Sequence, residues 1–156
     1  AAAEVQLHDL LASEPPVPFC IVLETIDTVV VPPAHICVTA RTHDQLDAGY
    51  APALDTAGLP YEKLGQGEPK TEHVRLATLH RIKGLEFPVV IVVGADRAHL
   101  PLPSPELSAD DPVVRAHALK RERCLFYVAA TRARDRLRVT ANGRLSALLE
   151  ERRQPI

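Results

Sequence analysis

The stretch Val74–Gly94, VRLATLHRIKGLEFPVVIVVG, contains two hydrophobic segments on either side of a polar connector. Val74–Thr78 alternates apolar and polar side chains, a pattern typical of a β-strand. Pro88–Val93 is an almost unbroken run of β-branched residues, which favours a strand buried on both faces of a parallel sheet. Ligands of open α/β sheets bind at the carboxyl ends of strands. The sequence therefore predicts a site over Thr78–Glu86, in the connector that carries His, Arg, Lys, Gly and Glu.

The rest of the chain alternates between predicted strands and helices, which implies a mostly parallel sheet with helices on both faces, a three-layer α/β sandwich. Pro52 fits poorly inside a helix and predicts a kink or a restart there. Gly58 is a plausible helix stop. The further strands are expected at Ile36–Ala40, Tyr61–Leu64 and Leu137–Ala141, and the helices at Asp44–Ala57, Ala116–Ala133 and Leu145–Arg152.

The N-terminal third is predicted to be a helical lead-in over residues 1–33, before a single domain over residues 34–156. Residues 1–13 suit a short helix, and the prolines at residues 15–18 break it. Residues 19–31 have apolar side chains at helical spacing, although their β-branched content also suits a strand. We expect a helix there, ended by Pro32–Pro33.

Composition limits the class of protein. The chain has 156 residues, 46% of them hydrophobic, enough for one domain with one core. It has no apolar run of about 18 residues and no basic-then-apolar leader, so we expect a cytoplasmic protein without a membrane span. The start Ala-Ala-Ala and the absence of Met favour a fragment of a longer protein. Cys20, Cys37 and Cys124 have no zinc-site spacing, and we expect free, buried thiols.

The charge is unevenly distributed. The net charge of −2 argues against a general nucleic-acid binder, yet residues 114–156 hold eleven basic and four acidic residues. We interpret most of these basic side chains as a solvated surface. Phe126 and Tyr127 lie within the same predicted helix and are expected in the core, so no stacking platform for bases is predicted.

Two long segments resemble the UvrD/Rep-type superfamily 1 DNA helicases. Ala77–Gly94, ATLHRIKGLEFPVVIVVG, resembles motif V of that family, and Glu122–Leu137, ERCLFYVAATRARDRL, resembles motif VI. Ile36–Asp47, ICVTARTHDQLD, resembles motif IV more weakly. The resemblance implies the second, C-terminal RecA-like motor domain. Gly65–His73 is too short for the large insertion subdomain of the bigger helicases.

The resemblance implies nucleotide contacts at four positions. Arg132 matches the motif VI arginine that stabilises the γ-phosphate, a role that suits a guanidinium with fork geometry. Arg41 would be a second phosphate contact. Glu86 matches the motif V glutamate that meets the ribose, and Gly84 would let the backbone turn. The alternatives are a helix-end arginine for Arg132, a surface loop arginine for Arg41 and a surface carboxylate for Glu86.

The resemblance also implies contacts to single-stranded DNA. Thr78 and His80 match motif V positions that touch phosphates, and both side chains can donate hydrogen bonds to phosphate oxygens. Arg81 and Lys83 would add positive charge. The alternative for His80 is a structural histidine.

Parts of a complete ATPase are missing from the sequence. It has no G-x-x-x-x-G-K-[ST] loop and no Asp-Glu pair after a hydrophobic strand. ATP and Mg²⁺ would therefore be held mainly by a first RecA-like motor domain, the expected partner together with single-stranded DNA. We expect part of an ATP-dependent DNA helicase or translocase that is inactive alone. The alternatives are an ATPase that remodels a nucleoprotein complex and a non-catalytic α/β protein-binding module.

Overall fold

The chain forms a six-stranded sheet in a computed structural model that describes residues 5–6, 20–21 and 30–150. The described strands are β1 (Val5–Gln6), β2 (Cys20–Ile21), β3 (Val30–Val31), β4 (Ile36–Ala40), β5 (Tyr61–Lys63), β6 (Val74–Thr78), β7 (Phe87–Val92) and β8 (Ala133–Ala141). The strand order in the six-stranded sheet is β2-β8-β7-β4-β6-β5. The last five of these strands are parallel to one another, and the outermost strand β2 runs antiparallel to β8.

Three helices pack against this sheet. Helix α1 runs without a break as an α-helix over His43–Gln45, a π-helix over Leu46–Tyr50 and an α-helix over Ala51–Thr56. Helices α2 and α3 span Pro112–Ala130 and Ala147–Glu150. A short 3₁₀ turn, Pro33–His35, leads into β4.

Helix α1 shows how local sequence sets its shape. Thr42 begins it with a capping box, accepting from the Gln45 amide at 3.3 Å while the Gln45 side chain accepts from the Thr42 amide at 3.1 Å. The wide π turn immediately precedes Pro52, whose ring would clash with a carbonyl of the preceding turn of a regular α-helix. The helix ends at Thr56, and Gly58 follows its cap residue Ala57 with a φ of 67° that stops the helix. The predicted disturbance at Pro52 and stop at Gly58 are both confirmed.

A separate hydrophobic core lies on each face of the sheet. Leu46, Ala51 and Leu54 of α1 pack on one face, against β4, β6 and β7. Ala129 of α2 and Leu148 of α3 pack on the other face. Helices therefore cover both faces, and the predicted three-layer α/β sandwich is confirmed.

The boundary between α2 and β8 differs from the prediction. Helix α2 begins at Pro112, since Asp111 caps it by accepting from the Val113 amide at 2.8 Å. It ends at Ala130, and β8 begins at Ala133, before the predicted start at residue 137. Exposed arginines and an irregular register opposite β7 conceal the strand pattern there. Arg132 consequently lies in the turn between α2 and β8 and not on the helix.

The N-terminal expectation is not met where the structure describes the chain. Val5–Gln6, Cys20–Ile21 and Val30–Val31 are extended, with the first and third pairs bonded to each other. The remainder of the expected helices over residues 1–13 and 19–31 lies outside the described residues. The part of helix 145–152 beyond residue 150 does so too.

Burial corrects two further expectations. Cys37 is buried as expected, but Cys124 is exposed. The Cys20 side chain lies outside the described residues. Phe126 packs against the core, whereas Tyr127 on the next position of α2 is 63% exposed. Among the described helices none is long and apolar enough to cross a membrane.

Candidate functional site

The connector between β6 and β7 runs from one end of the parallel strands to the other. We call the end at which these strands finish the carboxyl edge of the sheet, and the end at which they begin the amino edge. Both strands flank β4 and run parallel to it, so the chain must cross β4 to pass from the end of β6 to the start of β7. Thr78 lies at the carboxyl edge, and Glu86 immediately precedes β7 at the amino edge. A six-residue strand spans about 20 Å, which is the separation of the two edges. The prediction of one site at one strand end was wrong, because parallel strands place the two ends of the connector apart.

The connector is fixed by two apolar side chains while the polar ones remain outside. Leu79 and Ile82 are 1% and 0% exposed and pack in the core shared with α2. The Leu79 amide also donates to the Ala40 carbonyl of β4 at 2.9 Å. Five of the predicted site residues are exposed on the same connector: His80, Arg81, Lys83, Gly84 and Glu86. The apolar anchors therefore orient the polar positions towards solvent.

At the amino edge, a backbone hydrogen bond holds the two resembling segments together. The Phe87 amide donates to the Arg132 carbonyl at 2.9 Å, so Glu86 and Arg132 flank one hydrogen bond. Arg132 Nε donates to the Val128 carbonyl at 3.1 Å, and Nη2 donates to Thr131 Oγ1 at 3.3 Å. The guanidinium therefore closes the last turn of α2. Because a guanidinium has five N–H groups, Arg132 retains donors for another ligand.

A cavity of about 430 Å³ is lined by residues of this amino edge and by the loop that follows β5. Glu86, Arg134 and the Gly65–Gly67 turn are among the residues that line it. The bond with Asp135 raises the pKa of Arg134 and the charge of Glu86 adds to this effect, which places Glu86 near Arg134. The edge therefore presents a carboxylate, which can accept hydrogen bonds, and guanidinium groups, which can donate them.

At the carboxyl edge, Arg41 forms an ion pair that the sequence did not predict. Its Nε and Nη2 donate to the two carboxylate oxygens of Glu122 on α2, at 2.9 and 2.8 Å. Both side chains are only 13% exposed. The Leu102 amide donates to the same carboxylate at 3.1 Å. Glu122 thus joins the end of β4, the loop after β7 and helix α2.

The charge state of Glu122 follows from these contacts. Burial alone raises the pKa of its carboxyl group, but the hydrogen bonds from Arg41 and Leu102 and the charge of Arg41 outweigh burial and lower it. The charge of His80 contributes in the same direction. Glu122 is therefore a stable anion in the carboxyl edge.

Thr78 and Arg81 are more constrained than predicted. Thr78 is 7% exposed, and its Oγ1 accepts from the Arg81 amide at 3.3 Å, so it shapes the start of the connector. Arg81 is exposed, and its guanidinium lies over Gly65, where any β-carbon would overlap it. Gly84 has a φ of 83° and open space around the position of a β-carbon. The positive φ accounts for a glycine at this turn, and the predicted nucleotide contact of Gly84 stays a prediction.

The structure therefore groups the predicted residues differently from the sequence. Arg132 and Glu86 lie together at the amino edge. Arg41, which was expected beside Arg132, lies at the opposite edge with Thr78 and His80. Glu122 was missed, although a carboxylate in a strongly basic helix was a signal for an ion-pair partner. Across the described residues, no cluster of His, Cys, Asp and Glu suits a metal ion.

The fold and the two edges define a RecA-like α/β domain, and comparison with known proteins defines its family. A family model described as the UvrD-like helicase C-terminal domain matches residues 42–144, more than half of the chain. The chain belongs to this family. Arg41, at the weakly resembling motif IV, lies just outside the matched residues.

Curated relatives and one solved structure agree with this assignment. The ATP-dependent DNA helicase Rep of Salmonella typhimurium is 40% identical over 90 residues, which cover 58% of this chain and 11% of that protein. DNA helicase II of Escherichia coli is 40% identical over 76 residues, 49% of this chain and 10% of that protein. The chain thus spans about a tenth of the length of these relatives.

The similar solved structure supports the fold. The crystal structure of the C-terminal domain of a possible DNA helicase from Lactobacillus plantarum WCFS1 superposes with a TM-score of 0.53. The match covers 74% of this chain and 60% of that one, at 23% sequence identity. The predicted RecA-like architecture and the predicted family are confirmed.

Proposed function

We propose that this chain is the second motor domain of an ATP-dependent DNA helicase or translocase, with a nucleotide edge and a nucleic-acid edge on opposite sides of one sheet. One observation supports it above the others. The Phe87–Arg132 backbone bond gathers Glu86 and Arg132 at the amino edge, while the same connector places His80 at the carboxyl edge. Family membership and the names of the relatives support ATP and DNA as the two ligands.

At the nucleotide edge, Arg132 would donate to the γ-phosphate oxygens. The chemistry that ATP supplies when bound is a transferable phosphoryl group. An arginine contributed from a neighbouring domain can accelerate such a transfer by about 10³- to 10⁵-fold. The carboxylate of Glu86 would accept hydrogen bonds from the ribose hydroxyls. These residues fit the role, since Glu86 is exposed beside a cavity and Arg132 keeps unused N–H groups.

The chain lacks a phosphate-binding loop, so its contributions would complete a site that a first motor domain begins. That domain would hold Mg²⁺ and most of the ATP. Closure of the two domains around the nucleotide would bring Arg132 to the phosphate, and opening would follow hydrolysis. The chain alone would then lack ATPase activity.

At the nucleic-acid edge, His80 would contact the phosphates of single-stranded DNA from the exposed start of the connector. Arg41 would belong to this edge and not to the ATP site, because it lies at the end of β4 beside Glu122. Thr78 would act through the shape of the connector, while Lys83 would add positive charge. Arg81 would hold the connector against the loop after β5.

The test is DNA-stimulated ATP hydrolysis by a protein that joins this chain to a phosphate-loop motor domain. We expect ATPase activity that rises with single-stranded DNA, and none for the separated chain above a buffer blank. A joined protein that binds neither ATP nor single-stranded DNA would contradict the proposal and favour a protein-binding module.

A further inference from the structure

Glu122 occupies an unusual place for an acidic residue, because it lies at the edge proposed to bind phosphates. Its carboxylate is 13% exposed and accepts two hydrogen bonds from Arg41 and one from Leu102. A carboxylate near a nucleic-acid path repels phosphate, so its presence there calls for a compensating role.

The geometry of the pair indicates that role. Glu122 engages Nε and one N–H of Nη2 of Arg41, which leaves three of the five guanidinium N–H groups without a bond to Glu122. A two-bond fork fixes the plane of the guanidinium as well as its position. Arg41 can therefore keep Glu122 and still direct its remaining donors towards a phosphate.

The surroundings of the pair link it to the proposed DNA contact. Arg41 follows Ala40, which pairs with Thr78 across β4 and β6. The Leu79 amide bonds to Ala40, and His80 follows next on the connector. Arg41 and His80 therefore follow two residues that are joined by a backbone hydrogen bond at the carboxyl edge.

We propose that Glu122 is a positioning residue for nucleic-acid binding, which holds the Arg41 guanidinium in the orientation that contacts a phosphodiester of single-stranded DNA. This inference rests on the proposed function. It adds a residue on α2 whose contribution depends on Arg41 and not on direct contact with DNA.

The direction in which one substitution changes the affinity for DNA distinguishes a positioning role of Glu122 from simple electrostatic repulsion. Glu122→Gln removes a negative charge from the nucleic-acid edge, so electrostatics alone predicts tighter DNA binding. The amide of Gln cannot accept both hydrogen bonds of the Arg41 fork, so positioning predicts weaker binding. We expect affinity for single-stranded DNA to fall about tenfold, the size of one lost charged contact.

The experiment measures binding of a fluorescent oligo-dT strand by anisotropy at several salt concentrations, in the protein that joins this chain to its first motor domain. Losing one phosphate contact should lower the magnitude of the salt slope by about 0.7. Glu122→Gln should not weaken binding any further when added to Arg41→Ala. The matched control is Glu106→Gln, which removes the exposed ion pair of Glu106 with Arg121 of α2 and should leave binding unchanged.

A second variant protects the test against misfolding of Glu122→Gln. Arg41→Lys keeps the positive charge but loses the fork, so positioning predicts binding close to that of Arg41→Ala. The inference is overturned if Glu122→Gln binds as well as or better than wild type, if it weakens binding equally without Arg41, or if Arg41→Lys binds normally. If Arg41→Ala and His80→Ala both bind normally, the proposed nucleic-acid edge itself fails.

Discussion

The amide of Phe87 donates a hydrogen bond of 2.9 Å to the carbonyl of Arg132, so the end of the connector is bonded to the turn that follows α2. Phe87 is buried, and β7 and β8 continue as neighbours from this point. Glu86 and Arg132 consequently lie on either side of one backbone hydrogen bond. The connector that begins beside Arg41 at the carboxyl edge thus reaches the proposed nucleotide edge, held on the way by the buried side chains of Leu79 and Ile82.

Arg132→Ala should lower kcat for ATP about 10³-fold or more in a protein with both motor domains, because a charge-stabilising guanidinium is lost. Arg132→Lys should rescue little, since an ammonium group lacks the fork. Steady-state ATPase assays at saturating single-stranded DNA measure both. The control is Arg121→Ala, an exposed arginine of α2 that pairs with Glu106 away from this edge. Near-normal kcat for Arg132→Ala would leave this residue a structural role alone, through its bonds to the Val128 carbonyl and the Thr131 hydroxyl at the end of α2.

His80→Ala and Glu86→Ala should affect different ligands, because the two residues lie at opposite edges. The His80 variant should weaken single-strand binding and blunt DNA stimulation of the ATPase, with little change in the basal rate. Glu86→Ala should instead raise KM for ATP. The measurement is ATPase rate against single-strand concentration, together with DNA affinity at a stated salt concentration.

The same pair of variants tests coupling between the edges. If the connector couples the two binding sites, single-stranded DNA should change the affinity for ATP by the same factor by which ATP changes the affinity for DNA. Unchanged DNA affinity and unchanged DNA stimulation of the ATPase in His80→Ala would mean that the connector does not contact DNA. The connector would then contribute only to nucleotide binding and to the hydrophobic core.

Sequence patterns predicted most of the core but not the grouping of the site. Val74–Thr78 and the run after Pro88 became β6 and β7 because their apolar patterns are local. The position of Arg41 depends instead on which strands are neighbours, and its pairing with Glu122 joins residues 81 positions apart. Motif order carries no information on that geometry. The exposed, charged start of β8 likewise hid a strand that only its pairing with β7 defines.

The two cysteines with described side chains should differ sharply in reactivity. Burial raises the pKa of the Cys37 thiol, so it should remain unmodified in the folded chain, whereas Cys124 is exposed on α2. Iodoacetamide followed by peptide mass spectrometry should find Cys124 alkylated first and Cys37 only after urea unfolding. Labelling of Cys37 at the rate of Cys124 in native buffer would show that β4 opens without global unfolding.

Gly84→Ala and Gly49→Ala should change stability in opposite directions, although a β-carbon meets nothing within 4 Å at either position. Gly84 has a φ of 83°, so alanine there must adopt a left-handed conformation that costs about 1–2 kcal/mol. Gly49 lies in the helical Leu46–Tyr50 segment without a positive φ, and alanine should stabilise it by about 0.4–1 kcal/mol through the unfolded state. Urea unfolding of the purified chain measures both changes. Gly84→Asn should lose less than Gly84→Ala, because asparagine tolerates this conformation. Equal stability of the three Gly84 forms would mean that the connector relaxes to another backbone path, and that its turn is not fixed by Leu79 and Ile82.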